Sequence, residues 1–170
     1  MTLNELQLRP DEVRALYLIH LQQLHAAEQQ TIVALPSLAA AISTVNIKQQ
    51  LLKNATQTSD HLIRLNSIFS ELAAEPTSLV CEPMRALVDL SAKLIMEYPL
   101  GLMRDMLLLA VAKEMKHLGI AKYTMAVRFA ETLGAPDQAQ ALAQSQQEET
   151  NTDRDLTFFA ENLRIVQSEP

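Results

Sequence analysis

The sequence predicts an all-α chain folded as a helical bundle, and three observations carry that prediction. Its 170 residues include only three glycines. That is too few for the positive-φ turns of an all-β chain, a phosphate-cradling loop or a dinucleotide fold. Ala, Leu, Gln, Glu and Met, all good helix formers, dominate the composition. Proline and glycine fall between long segments whose apolar residues recur every three or four positions. With 48% hydrophobic residues, the expectation is one domain over 1–170 that buries a real core, with 1–9 and 168–170 loose.

Pro10, Asp11 and Glu12 mark the first helix start: proline suits the first turn and acids suit its positive end. That helix should run to about Thr44, with a kink near Pro36. Asn46 with Gln49 three residues on has the spacing of a capping box. The second helix should then run to about Ala74, stopped before Pro76. Thr77–Glu82 reads as a linker. A short helix follows, from Pro83 to about Glu97. The third long helix is expected from about Leu100 to Leu133, with Gly134 as its C-cap. The fourth should run from Pro136 to about Gln167. Four long helices and one short crossover helix make a bundle with a long connection in the middle.

The net charge of −6 argues against a nucleic-acid partner, since such binding rests on clustered Lys and Arg. Cys81 is the single cysteine and cannot form an internal disulfide, which suits a reducing cytoplasm. Residues 1–8 lack a basic-then-apolar signal pattern. The longest uncharged run, Gln29–Ile47, is broken by Pro36 and polar residues, and Leu100–Ala112 carries Arg104 and Asp105. The expectation is a cytoplasmic chain with no membrane partner.

Each long helix should turn one stripe inward. The first reads Tyr17, Leu21, Leu24, Glu28, Thr31, Leu35, Leu38. The second reads Leu51, Asn54, Thr58, His61, Leu65, Ile68, Leu72. The third reads Met103, Leu107, Ala110, Glu114, His117, Ala121, Thr124. The fourth reads Leu142, Ser145, Glu149, Thr152, Leu156, Phe159, Leu163. On this reading every long helix places a carboxylate or imidazole at mid-height, between apolar layers. Burying an unpaired carboxylate costs several kcal/mol or forces its protonation, so four such residues imply a shared polar layer. Glu28 and His61 are 33 apart and His117 and Glu149 are 32 apart, as in a repeated helical hairpin offset by about 89 positions. A metal site, a buried salt-bridge network and a wrong helical phase all remain open as explanations.

The chain resembles the YciF-like branch of the ferritin-like superfamily, small bacterial stress-associated bundles. The resemblance covers roughly Glu12–Leu163. It rests on the segment Tyr17 to Gln30 with its Glu28, on Ala34-Leu35, Arg64-Leu65 and Phe69, and on Cys81-Glu-Pro-Met84 with Leu87. His117-x-x-Ile120-Ala121-x-Tyr123 and Glu148-Glu149-x-x-x-Asp153-x-x-Leu156 complete it. The resemblance implies a carboxylate-bridged two-metal bundle with ligands from all four helices. It also implies losses: glutamates are expected where this chain has Gln57, Lys116 and Gly119, while Glu28, His61, Glu149 and Asp153 match.

The candidate metal ligands are therefore Glu28, His61, His117, Glu149, Asp153 and Glu114, the last forming E-x-x-H with His117. Lys116 is the candidate counter-charge if the layer holds no metal; the alternative is that it reaches solvent. His20 and His25 lie off the Glu28 stripe and are expected at the surface or a subunit contact. Cys81 is expected as an inert thiol, and Met103, Met106, Met115 and Met125 as core or interface filler. No catalytic residue and no nucleotide motif stands out. Two functions stay open: a non-enzymatic stress-response or structural bundle with a degenerate metal site, or a protein binding Fe, Mn or Zn, with weak oxidase-type chemistry. A homodimer is expected, because Leu16, Leu18, Ile19, Ile32, Val33, Leu102, Leu108 and Leu109 make the apolar surface wider than one bundle face buries.

Overall fold

The computed structural model describes residues 7–77 and 79–164. They form five helices: α1 Pro10–Ala41, α2 Val45–Glu71, α3 Glu82–Glu97, α4 Leu102–Thr132 and α5 Pro136–Glu161. The helix starts follow the proline and glycine punctuation, but α1, α2 and α5 end earlier than expected, at Ala41, Glu71 and Glu161. The helical reading for 165–167, and the loose ends expected at 1–6 and 168–170, lie outside the described residues.

α1 begins at Pro10, and Glu12 accepts the Arg9 N–H at 2.8 Å. It runs through Pro36, which has no N–H to give the preceding turn, and stops at Ala41. The expected Asn46–Gln49 capping box does not form. The N-cap of α2 is Thr44, and Asn46 sits inside the helix, exposed. The cap is supplied from α4 instead, by Asp105. This fully buried carboxylate accepts the backbone N–H groups of Ser43 and Thr44 at 2.9 and 2.7 Å and both hydroxyls at 2.7 Å. Beside it, Arg104 donates to the Ala41 carbonyl at the end of α1, at 2.8 Å.

These contacts put the start of α4 at the end of α1. α1 is therefore antiparallel to α4 as well as to α2. Gln50 near the start of α2 bonds Asp155 near the end of α5, so α2 and α5 are antiparallel too. Around the ring, α1 packs on α2 and α4, and α5 packs on both of these. α3 carries the chain back along the bundle, across α1 and α4. This is a four-helix bundle with one long crossover.

Apolar packing divides into three parts. One end holds Leu35, Leu38, Ile42, Ile47, Leu51, Leu108, Leu109 and Leu156. The other holds Tyr17, Leu21, Leu24, Leu65, Ile68, Phe69, Ala126 and Leu142. A third cluster lies under α3, with Ala26, Ala27, Cys81, Met84, Val111 and Met115. The stripes read for α1, α2 and α5 are buried down to Leu38, Ile68 and Leu156. The stripe read for α4 is wrong. Its inward face is Asp105, Leu108, Ala112, Lys116, Gly119, Tyr123, Ala126 and Ala130, whereas Met103, Ala110, Glu114, His117, Ala121 and Thr124 are exposed. Among the described residues, no helix is long and apolar enough to cross a membrane.

Candidate functional site: a buried ionic layer

Between the two end clusters lies one charged layer, with one contribution from each long helix. α1 supplies Glu28, α2 His61, α4 Lys116 and α5 Glu149. Each is 4% exposed or less. His61 Nδ1 lies 3.0 Å from Glu28 Oε1, and the Tyr123 hydroxyl donates to the same oxygen at 2.7 Å. Lys116 Nζ donates to Glu149 Oε1 at 2.7 Å, and that oxygen is 3.8 Å from His61 Nδ1. Gly119, one turn along α4 from Lys116, makes room for the Glu149 carboxylate: a Cβ there would sit 2.5 Å from Glu149 Oε2.

The layer reaches the surface on one side. His61 Nε2 lies 3.0 Å from Glu148 Oε2, and Arg64 grips both oxygens of Glu148 at 2.8 and 2.9 Å. A neutral imidazole has one N–H to give, yet both ring nitrogens of His61 face carboxylates. Only the imidazolium satisfies both. Burial alone would push the His61 pKa down, but the hydrogen bond it gives Glu28 and the charges of Glu28 and Glu149 outweigh it and raise it. Burial would raise Glu28, but His61, Lys116 and Tyr123 bring it below the usual range. Glu149 is the carboxyl of the layer most easily protonated: burial and the charge of Glu28 push it up against Lys116. Burial and Glu28 hold the Tyr123 phenol well above its ordinary value, so it remains a donor. With both carboxylates ionised, two anions meet two cations and the layer is neutral.

Of the six expected ligands, the structure brings three together. Glu28, His61 and Glu149 each offer an atom within 4.8 Å of the others. Glu114 and His117 do not join them: both are on the outer face of α4, and His117 is 65% exposed. Asp153 also faces away, half-buried between Lys113 and His117, with His117 Nε2 at 3.2 Å. Gln57 turns to the Thr152 hydroxyl at 3.1 Å. The hairpin repeat survives with a changed member: Lys116, not His117, is the partner of Glu149, and both pairs are 33 residues apart. His25 is not at the surface. It is buried against Phe69 and bonds Asn66 at 3.0 Å. His20 is half-buried and bonds the Lys122 carbonyl at 2.8 Å. Cys81 is buried at the start of α3, its N–H given to Gln30. Met115 is core, while Met103 and Met125 are exposed. Tyr123, Arg64 and Glu148 complete the site without standing out as site residues in the sequence. The first lies on the corrected α4 stripe, seven residues from Lys116; the second is one turn from His61.

This donor set does not fit two metal ions. A metal needs neutral imidazole and free carboxylates. Here His61 is held between two carboxylates, and an ammonium already lies on Glu149. Position 119 offers no side chain.

The family described as Domain of unknown function (DUF892) is matched by residues 12–168. The chain is 30% identical over 146 residues to Protein YciF of Escherichia coli strain K12, covering 85% of this chain and 88% of that protein. The crystal structure of the E. coli stress protein YciF superposes with a TM-score of 0.84 at 28% identity, over 88% of this chain and 95% of that one. A ferritin-like, diiron-carboxylate protein from Bacillus anthracis shares the fold, with a TM-score of 0.66 at 17% identity over 86% and 96%. The chain thus has a YciF-like fold, shared with that ferritin-like, diiron-carboxylate protein, and it belongs to the DUF892 family.

Proposed function

We propose that this protein is a non-enzymatic bundle of the bacterial stress response, whose central layer is closed by ion pairs instead of a two-metal centre. The observation that supports this most is Lys116: its ammonium is buried at mid-bundle, 2.7 Å from Glu149. Burying an ammonium is costly unless it is paired, and here it pairs within a neutral layer. The stress assignment follows the E. coli stress protein YciF. Reduction of dioxygen at a two-metal site needs ions about 3.5–4 Å apart, with carboxylates to bridge them. The positions where the resemblance expects those carboxylates hold Gln57, Lys116 and Gly119. The test is elemental analysis of protein purified without chelator or nickel resin. The expected result is no stoichiometric metal, and two irons or manganese ions per chain would overturn the reading.

A second reading is favoured by one observation, the convergence of Glu28, His61 and Glu149 within 4.8 Å. A single Zn or Fe suits His and carboxylate donors. It would require His61 to lose its proton and Lys116 to leave Glu149. One equivalent of bound metal in the same analysis would select this reading.

A further inference from the structure

The layer has the charge pattern of a cation site with the cation built into the chain. We infer that Lys116 is a tethered cation: its ammonium takes the place of a small cation on the buried carboxylate of Glu149, in a layer that also holds Glu28, and removing its side chain would leave a site for a free small cation. This rests on the metal-independent reading above. Three features of the geometry carry it.

First, Lys116 does not reach for solvent, the common course for a helical lysine. It is 2% exposed, and its charge ends on Glu149. Second, the site is shaped around that contact. Gly119 lies on the same face of α4, and any larger residue there would push into Glu149 Oε2, which a Cβ would approach to 2.5 Å. Glycine leaves the carboxylate free to take the position that meets Lys116. Third, the rest of the layer is already assembled without Lys116. Glu28 is fixed by Tyr123 and His61, and His61 is backed by Glu148, which Arg64 grips. Truncating Lys116 to alanine removes the stem and ammonium and leaves Glu149 with only the more distant His61, 3.8 Å away, inside a preformed frame. An uncompensated buried carboxylate takes up a proton or a cation. The ligand class is a cation of one or two charges that fits the volume of the lost side chain. Propylammonium reproduces the lost atoms, and manganese(II) offers a compact charge to oxygen donors.

The experiment measures the melting temperature of three proteins with manganese(II) chloride, with propylammonium chloride, and with sodium chloride at matched ionic strength. The proteins are the wild type, Lys116→Ala, and Lys116→Ala combined with Glu149→Gln. At a hundredfold excess over Kd, manganese or propylammonium should raise the melting temperature of Lys116→Ala by roughly 5–10 °C over the sodium control. The wild type should not move, since its site is full. The double variant should not move either, since the anion has gone. If Lys116→Ala does not fold in sodium chloride, refolding in the presence of either cation should recover it. Failure of both cations to stabilise or refold Lys116→Ala, with the wild type inert, would overturn the tethered-cation inference and leave the metal-independent reading standing. An equal response from the double variant would also overturn the inference, by placing the cation elsewhere. Binding of manganese by the wild type with the same stabilisation would overturn the underlying reading as well.

Discussion

A Cβ on Gly119 of α4 would lie 2.5 Å from Glu149 Oε2 of α5. The absent side chain on one helix is the space that the carboxylate of the other fills. Two opposing magnitudes predict the outcome of Gly119→Ala. Glycine in a helix interior costs about 1 kcal/mol relative to alanine, so an unobstructed substitution would stabilise by that amount. Overpacking a tight interior costs about 1–3 kcal/mol, and Glu149 Oε2 must shift to admit the methyl group. The expected net result is a loss of up to about 2 kcal/mol in urea unfolding. A gain of about 1 kcal/mol would mean that Glu149 moves aside freely.

The same pair shows how far the sequence could be read. The stripes of α2 and α5 were legible because a polar outer face sets off a single apolar one, and that of α1 was legible in spite of the apolar residues on its outer face. α4 has no such contrast. It packs on the bundle through Leu108 and Ala112 and under α3 through Val111 and Met115, so apolar residues occur on two faces and the period no longer fixes the phase. The phase that places His117 inward looks chemically attractive, but it puts Lys116 outside. The inward face carries a lysine, which is ordinarily a surface residue. α1 misleads in a smaller way: covered by α2, α3 and α4, it buries His25 off its main stripe. The cap of α2 by Asp105 comes from a residue about 60 positions away and leaves no local signal.

His61 predicts a pH dependence on the alkaline side. Its folded pKa is raised above the unfolded value of about 6.5, burial being outweighed by Glu28 and Glu149. The stabilisation from its positive charge is therefore complete below about pH 6.5 and is lost as pH rises through the higher folded value. Unfolding free energy of the wild type should decline over that range. His61→Gln should be less stable at pH 6 and lack the decline. A decline of equal size in the variant would remove His61 as its source.

The outer face of α1 predicts association. Leu16, Ile19 and Val33 lie on one side of that helix, and Val33 is 76% exposed; at the linker, Leu79 and Val80 are half exposed beside it. Leu108 and Leu109 no longer belong to this argument, since both are buried within the bundle. The remaining surface still exceeds scattered single apolar residues, and the expected state is a homodimer that uses α1. Light scattering at micromolar concentration should show twice the chain mass, with Val33→Asp shifting the balance to monomer. A monomeric wild type would end the proposal.

α2 and α4 end in the same turn built from different residues. After α4, Gly134 has φ +70, and the Ala135 N–H reaches back to the Ala130 carbonyl at 2.9 Å. After α2, Ala73 has φ +50, and the Ala74 N–H reaches the Phe69 carbonyl at 3.0 Å. Both are left-handed helix ends of the kind glycine favours. Alanine in that region costs about 1–2 kcal/mol, partly offset by the extra freedom glycine gives the unfolded chain. Ala73→Gly should stabilise and Gly134→Ala should destabilise, each by about 0.5–1 kcal/mol. Opposite signs in thermal melts are the test, and a destabilising Ala73→Gly would contradict it.

Asp105 joins the two halves of the fold across 62 positions of sequence. Its four hydrogen bonds from Ser43 and Thr44 tie the α1–α2 turn to the first turn of α4, and its charge faces the positive end of α2. Bonds to a charged acceptor contribute about 1.5–3 kcal/mol apiece and are not additive, so Asp105→Ala should cost about 3 kcal/mol or more. Burial pushes this carboxyl up, but the bonds from Ser43 and Thr44 outweigh burial and hold its pKa below the ordinary value. Its contribution is therefore complete above the unfolded value of about 3.9 and is lost as pH falls through the lower folded value. Asp105→Asn keeps the shape while removing the charge. It should be less stable than the wild type at pH 6, and the gap should narrow as pH falls below about 4. A gap that stays constant into acid would show that shape, not charge, holds the turn.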